Sequence, residues 1–212
     1  MVKEYYKKER SEVLIFIPIK ARNILEIGCG AGTFSEQVKS RQDAEIWGIE
    51  LDFDSAKIAK SVLDKIFVDD VFNVVDEIPD HQFDCIICND VLEHIIDPYS
   101  LVSKLLKKLT VEGVLVASIP NVRYFKVLYH LNFSKRWDYK DWGVLDRTHL
   151  RFFTYKNIRE LFENQGYEIV SINGINPTKS PYFKIINLLT LGHYWDSRYI
   201  QFVCVAKAKS NE

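Results

Sequence analysis

The sequence predicts a doubly wound α/β fold: a seven-stranded, mostly parallel sheet with an antiparallel C-terminal hairpin and an irregular insertion. Three observations predict it. Short apolar runs alternate with helical patterns from residue 24 to residue 120. The first run ends in a glycine-rich turn. Two further strand-like runs close the chain after the alternation has stopped. Alternating strand and helix implies parallel strands joined by right-handed crossovers, with helices on both faces.

Residues 1–22 open the chain and are expected to form an N-terminal helix. Residues 24–27 (Ile-Leu-Glu-Ile) are a short strand that runs into Gly28-Cys29-Gly30-Ala31-Gly32. A helix follows, with Phe34 and Val38 on one face. Ile46–Glu50 is a second strand, ending in an acid. Ala56 to Ile66 reads as a helix through Ile58, Val62 and Ile66, and Ile66–Val68 as a strand ending in Asp69-Asp70. Phe83–Cys88 is a buried strand. Asp97-Pro98 supplies a cap and a first-turn proline for a helix carrying Leu101, Leu105 and Leu109. Val114–Ile119 is the fifth strand, closed by Pro120.

Residues 121–150 then read as irregular and hold Tyr124, Phe125, Tyr129, Phe133, Trp137, Tyr139 and Trp142. Thr154 caps a helix carrying Ile158, Leu161 and Phe162, which Gly166 stops. Glu168–Ile172 and Ile200–Ala206 are the last two strands, joined through a loop rich in Asn, Pro and aromatics.

A chain of 212 residues with 47% hydrophobic content is enough for one domain spanning 1–212. Its net charge of -1 offers no global basic field for nucleic acid or an anionic membrane. No apolar run approaches the ~20 residues of a membrane span. No secretory signal stands at the charged start, so a cytoplasmic location is expected. Cys29, Cys85, Cys88 and Cys204 read as reduced thiols. Cys85 and Cys88 form a lone C-x-x-C with no second pair, and no metal is expected.

The glycine turn carries the strongest chemical signal. Glycines between a first strand and its helix let the backbone approach a ligand closely. Glu50, 24 residues past Glu26, ends the next strand, where a carboxylate can accept both hydroxyls of a ribose. The spacing is G-x-G-x-G, not the G-x-G-x-x-G that favours a dinucleotide. Glu26, two residues before the first glycine, would repel a pyrophosphate and attract an amine or a sulfonium.

Three segments resemble the class I S-adenosylmethionine methyltransferases. They are Leu25-Glu26-Ile27-Gly28-Cys29-Gly30-Ala31-Gly32, then Gly48-Ile49-Glu50-Leu51-Asp52, and Phe83 through Ile95 with Asn89-Asp90-Val91-Leu92-Glu93-His94. The resemblance implies S-adenosyl-L-methionine as cofactor. It implies backbone of Gly28, Cys29, Gly30 and Gly32 along the methionine part, with Glu26 beside it. Glu50, followed by Leu51, would hold the ribose, and Asp70 with Val71 the adenine. Asp69 competes for that last role, and Asp52 and Asp54 read as turn residues. Asn89 and Asp90 would close the pocket.

In this fold the insertion at 121–153 lies over the cofactor's methyl, as a lid or acceptor wall. Trp137 to Thr154, with Pro120-Asn121-Val122-Arg123 and Tyr5-Tyr6, resembles a bacterial branch linked to sugar and polysaccharide modification. The expected acceptor is a small molecule, a sugar or glycan-linked hydroxyl; a phenol or quinone precursor and a non-catalytic cofactor-binding module are the alternatives. An alcohol acceptor benefits from a general base. His149 is the first candidate, or else a structural residue bonding a carbonyl; His94 and Asp90 follow. Asp146, Arg147, Trp142 and Arg123 are expected at the acceptor. The N/D-P-P-Y/F signature of nucleobase amino methylation is absent after the fourth strand, which argues against nucleic acid. Oligomeric state is left open.

Overall fold

Seven apolar runs become strands of one sheet: β1 (Asn23–Ile27), β2 (Glu45–Glu50), β3 (Lys65–Val68), β4 (Phe83–Asn89), β5 (Leu109–Pro120), β6 (Tyr167–Pro177) and β7 (Tyr199–Ala208). Their order is β3-β2-β1-β4-β5-β7-β6. The structure is a computed structural model and describes residues 10–209. β1 to β5 pair in parallel, and β7 runs antiparallel to both β5 and β6. This is the expected seven-stranded sheet with its hairpin.

The central strands are apolar on both sides, so both sheet faces need cover. Side chains alternate along each strand. Leu25, Ile27, Ile86 and Cys88 join Leu101, Leu105, Ile158 and Phe162 on one face. Ile24, Cys85 and Ile87 join Phe34, Val38 and Val13 on the other. The same alternation decides the C-x-x-C. Three residues apart on β4, Cys85 and Cys88 sit on opposite faces and cannot share a metal or a disulfide. All four thiols are free and buried.

The helices are α1 (Ser11–Leu14), α2 (Thr33–Arg41), α3 (Phe53–Ala59), α4 (Val71–Val74), α5 (Pro98–Lys108), α6 (Phe125–Phe133), α7 (Tyr155–Glu163) and α8 (Pro181–Leu189). Asp97 caps α5 as expected, accepting the Ser100 amide at 3.1 Å, and Thr154 caps α7.

Four expectations change. The N-terminal helix reduces to Ser11–Leu14 before the turn at Pro18; residues 1–9, with Tyr5-Tyr6, lie outside the described residues. The helix expected to reach Ile66 stops at Ala59, because Lys65 and Ile66 pair with Trp47 and Gly48 and the chain must first turn. Ile58, placed on its apolar face, is 43% exposed. The irregular insertion contains α6, and the loop before β7 contains α8, which Pro181 starts.

The strand order reverses between β1 and β4. Their carboxyl ends form the switch point at which doubly wound sheets bind ligands.

Candidate active site

At the end of β1 the chain turns through three left-handed glycines, Gly28 (φ 67°), Gly30 (φ 55°) and Gly32 (φ 81°). A Cβ on Gly28 would meet Val91 Cγ2 at 2.7 Å, so the turn packs directly on the loop after β4. Glu50, buried at the end of β2, braces the turn: Oε2 accepts the Gly30 amide at 2.7 Å and Oε1 the Asp52 amide at 2.8 Å. Each oxygen keeps a lone pair for a further donor.

Glu26 is buried behind the turn and bonded by the Ser35 hydroxyl. Burial pushes its carboxyl up to about 8; the Ser35 bond pulls down and the Glu50 charge pushes up. Asn89, at the end of β4, has a buried side-chain amide whose oxygen and nitrogen both lack partners among the described residues. An orphaned buried amide at a switch point calls for a ligand. Asp70 caps α4 through the Phe72 amide at 2.8 Å, and Val71 is buried beneath it. Asp69 bonds Asn73, Asp52 caps α3, and Leu51 is 70% exposed.

Beyond Asn89 lies a cavity of about 330 Å³. It is lined by Arg10, Asp90, Glu93, Trp142, Val144, Asp146, His149 and Gln201 among others. Three elements meet there. Asp90, at φ 54°, is gripped by Arg10, by Gln201 Nε2 at 2.6 Å and by Ser118 Oγ at 3.1 Å. Glu93 lies on the 3-10 turn Leu92–His94, and its carbonyl accepts the amides of Leu150 and Arg151 at 2.8 and 3.0 Å. Those bonds clamp the end of the insertion onto the end of β4. They set His149 Nε2 3.9 Å from Glu93 Oε1 and the His149 ring 4.8 Å from that of His94.

Glu93 is 1% exposed. Apart from its own amide, neither carboxylate oxygen has a hydrogen-bond donor among the described residues. Burial, with the Asp90 charge second, holds this carboxyl well above the carboxylate range. Burial, with His94 second, holds His149 below the usual imidazole range, so the ring is neutral at pH 7.

The acceptor-side expectations divide. Trp142, Asp146, His149 and Asp90 line the cavity; Asp146 also accepts the Thr148 amide and hydroxyl at 2.8 and 2.7 Å. Arg123 turns away to Asp196 at 2.8 Å, and Arg147 to Asp141 at 2.8 Å. Glu93, Arg10 and Gln201 were not singled out from the sequence. Glu93 had one signal, its place beside His94.

A family model described as a methyltransferase domain matches residues 2–172. The chain belongs to this methyltransferase family. A ubiquinone biosynthesis O-methyltransferase of Psychrobacter cryohalolentis is 30% identical over 128 residues, 57% of this chain and 49% of that enzyme. One of Citrobacter koseri is 34% identical over 86 residues, 38% of this chain and 35% of that enzyme. The methyltransferase chain thus spans half or less of the length of these curated relatives. Among solved structures, a SAM-dependent methyltransferase from Archaeoglobus fulgidus superposes with a TM-score of 0.69 at 19% identity, covering 97% of each chain. One from Mesorhizobium loti gives 0.63 at 17% identity, covering 92% of this chain and 95% of that one. The methyltransferase cofactor is S-adenosylmethionine, and the residues present fit it: a left-handed glycine turn at the switch point, a buried carboxylate with free lone pairs at Glu50, and at Asn89 a buried amide without a partner among the described residues.

Proposed function

We propose that this methyltransferase acts on a hydroxyl of a small molecule bound in the cavity between the end of β4 and the 121–153 insertion. One observation carries the reading: the glycine turn packs on Val91, whose chain neighbour Asp90 lines the cavity together with His149 and Glu93, its polar end. In this reading Glu50 holds the ribose, Asp70 and Val71 flank the adenine, and Glu26 faces the methionine amine. The bound cofactor supplies an electrophilic methyl on a cationic sulfur. The chain's own work is to align the hydroxyl in line with it, exclude water and receive the departing proton at the polar end. The insertion acts as the lid.

The relatives' name, ubiquinone biosynthesis O-methyltransferase, supports a phenolic acceptor. A second reading, a sugar hydroxyl, is favoured by Trp142: it is 67% exposed on a lining it shares with Glu12, Asn176 and Gln201. An indole face beside hydrogen-bonding groups suits a pyranose. The test is S-adenosylhomocysteine formation with a panel of dihydroxybenzenes and of free and nucleotide-linked sugars, with the product methyl located by NMR. Methyl on oxygen supports the reading. Methyl on nitrogen or carbon, or cofactor binding with no turnover on any hydroxyl compound, overturns it.

A further inference from the structure

We propose that Glu93, His94 and His149 form a binding site for one divalent transition-metal ion at the floor of the acceptor cavity. Three observations converge. First, one ligand atom from each of the three side chains lies within 4.8 Å of the others. Ligands on a common ion stand roughly 3–3.5 Å apart at bond lengths of about 2.0–2.2 Å, so side-chain shifts on the order of 1 Å close the set. Second, Glu93 is 1% exposed and, apart from its own amide, both oxygens lack a donor among the described residues. A buried carboxyl without a partner is costly, and a cation is the partner that would satisfy it.

Third, both imidazoles are already oriented as metal ligands are. His149 Nδ1 lies 3.1 Å from the Val144 carbonyl and His94 Nδ1 lies 3.2 Å from the Thr148 carbonyl. A carbonyl only accepts, so each Nδ1 carries the hydrogen and each Nε2 keeps its lone pair. Donation from the second ring nitrogen to a backbone carbonyl is how ligating histidines are held. The charges around the cluster are mixed: Asp90 and Asp146 add negative potential and Arg10 offsets part of it.

Two histidines and one carboxylate leave open positions and suit Zn²⁺, Co²⁺ or Mn²⁺ over the all-oxygen sites of Ca²⁺. This departs from the sequence, which offers no metal-ligand spacing: Glu93 and His94 stand 55 or more residues before His149. The role of the ion rests on the hydroxyl-directed reading above. An acceptor hydroxyl at an open position would be acidified by the ion and lose its proton to solvent as the new C–O bond forms and the S–C bond breaks. His149 then holds the ion rather than taking the proton.

The experiment uses untagged full-length protein stripped by chelator. Co²⁺ is titrated by visible absorption and Zn²⁺ by calorimetry. One equivalent should bind to wild-type protein, with a d–d spectrum of His ligation. Glu93→Gln and His149→Asn should weaken it at least tenfold while circular dichroism and S-adenosylhomocysteine affinity stay as in wild type. Should either variant misfold, His94→Gln, on the more exposed ligand, gives the same reading. Absence of stoichiometric uptake, or uptake indifferent to these substitutions, overturns the site. Cofactor affinity reads separately whether the methyltransferase reading fails.

Discussion

His149 Nε2 stands 3.9 Å from Glu93 Oε1, although 56 residues separate them, because the Glu93 carbonyl accepts the amides of Leu150 and Arg151. Backbone bonds, not the side chains themselves, hold the two together. His149→Ala should therefore leave the joint in place. Cofactor binding should stay within about threefold of wild type by calorimetry, since the glycine turn and Glu50 lie on the other side of Asn89. Turnover should fall ~10²-fold or more, whether His149 receives the acceptor proton itself or holds the ion that acidifies the acceptor hydroxyl. A variant that melts early and loses cofactor as well would show His149 to be a structural residue of the insertion.

Glu50 has two tasks in one carboxylate. It accepts the Gly30 and Asp52 amides and, in the proposed reading, both ribose hydroxyls. Glu50→Ala orphans the buried Gly30 amide and the partly buried Asp52 amide and removes charge-assisted bonds worth roughly 1.5–3 kcal/mol each. Affinity for S-adenosylhomocysteine should drop at least tenfold, and the melting temperature of the unliganded protein should fall too. Glu50→Gln keeps one acceptor and should lie between. Calorimetry and thermal melts give the two readouts, and unchanged affinity in the alanine variant would place the ribose elsewhere.

The cofactor half was legible because its cues are local. Ile46–Glu50 reads as a strand with an acid at its end, and the glycine turn follows a strand directly. The acceptor half was not. Glu93 carries no local cue to its burial; its carbonyl is tied to the Leu150 and Arg151 amides, which no local pattern connects to it. Arg10 grips Asp90 from 80 residues away, and Arg123 and Arg147, attractive as acceptor ligands in sequence, have nearer carboxylates in Asp196 and Asp141. Helix α3 was overextended because an apolar residue at helical spacing, Ile58, turned out to be exposed, while the start of β3 is fixed by pairing with Trp47.

Glu26 sets a pH dependence. Its folded carboxyl is raised to about 8 from 4.5, chiefly by burial. Between those values the unfolded chain has lost the proton and the native state still holds it, so stability falls as pH rises. The slope from this group is at most about 1.4 kcal/mol per pH unit. Urea denaturation at several pH values between 5.5 and 8.5 should show wild-type stability declining. Glu26→Gln, neutral throughout, should remove that part of the slope. A cation such as the cofactor amine favours the ionised form, so binding near pH 7 should release a proton, seen as a buffer-dependent heat.

Gly28→Ala tests the contact between the cofactor cradle and the acceptor cavity. The substitution meets two separate obstacles. At φ 67° an L-residue costs roughly 1–2 kcal/mol, and the new Cβ would stand 2.7 Å from Val91 Cγ2. Val91 lies between Asp90 and the turn that carries Glu93, so relieving the clash moves the cavity's polar end as well as the cradle. Stability should fall by about 1–3 kcal/mol, and S-adenosylhomocysteine affinity at least tenfold. Adding Val91→Ala removes the clash but not the backbone strain. The double variant should therefore regain part of the affinity while keeping most of the strain cost, read from calorimetry and urea unfolding in parallel. If it binds no better than Gly28→Ala alone, the Val91 contact is not what couples the two halves of the site. If Gly28→Ala itself binds as tightly as wild type, the glycine turn does not line the cofactor.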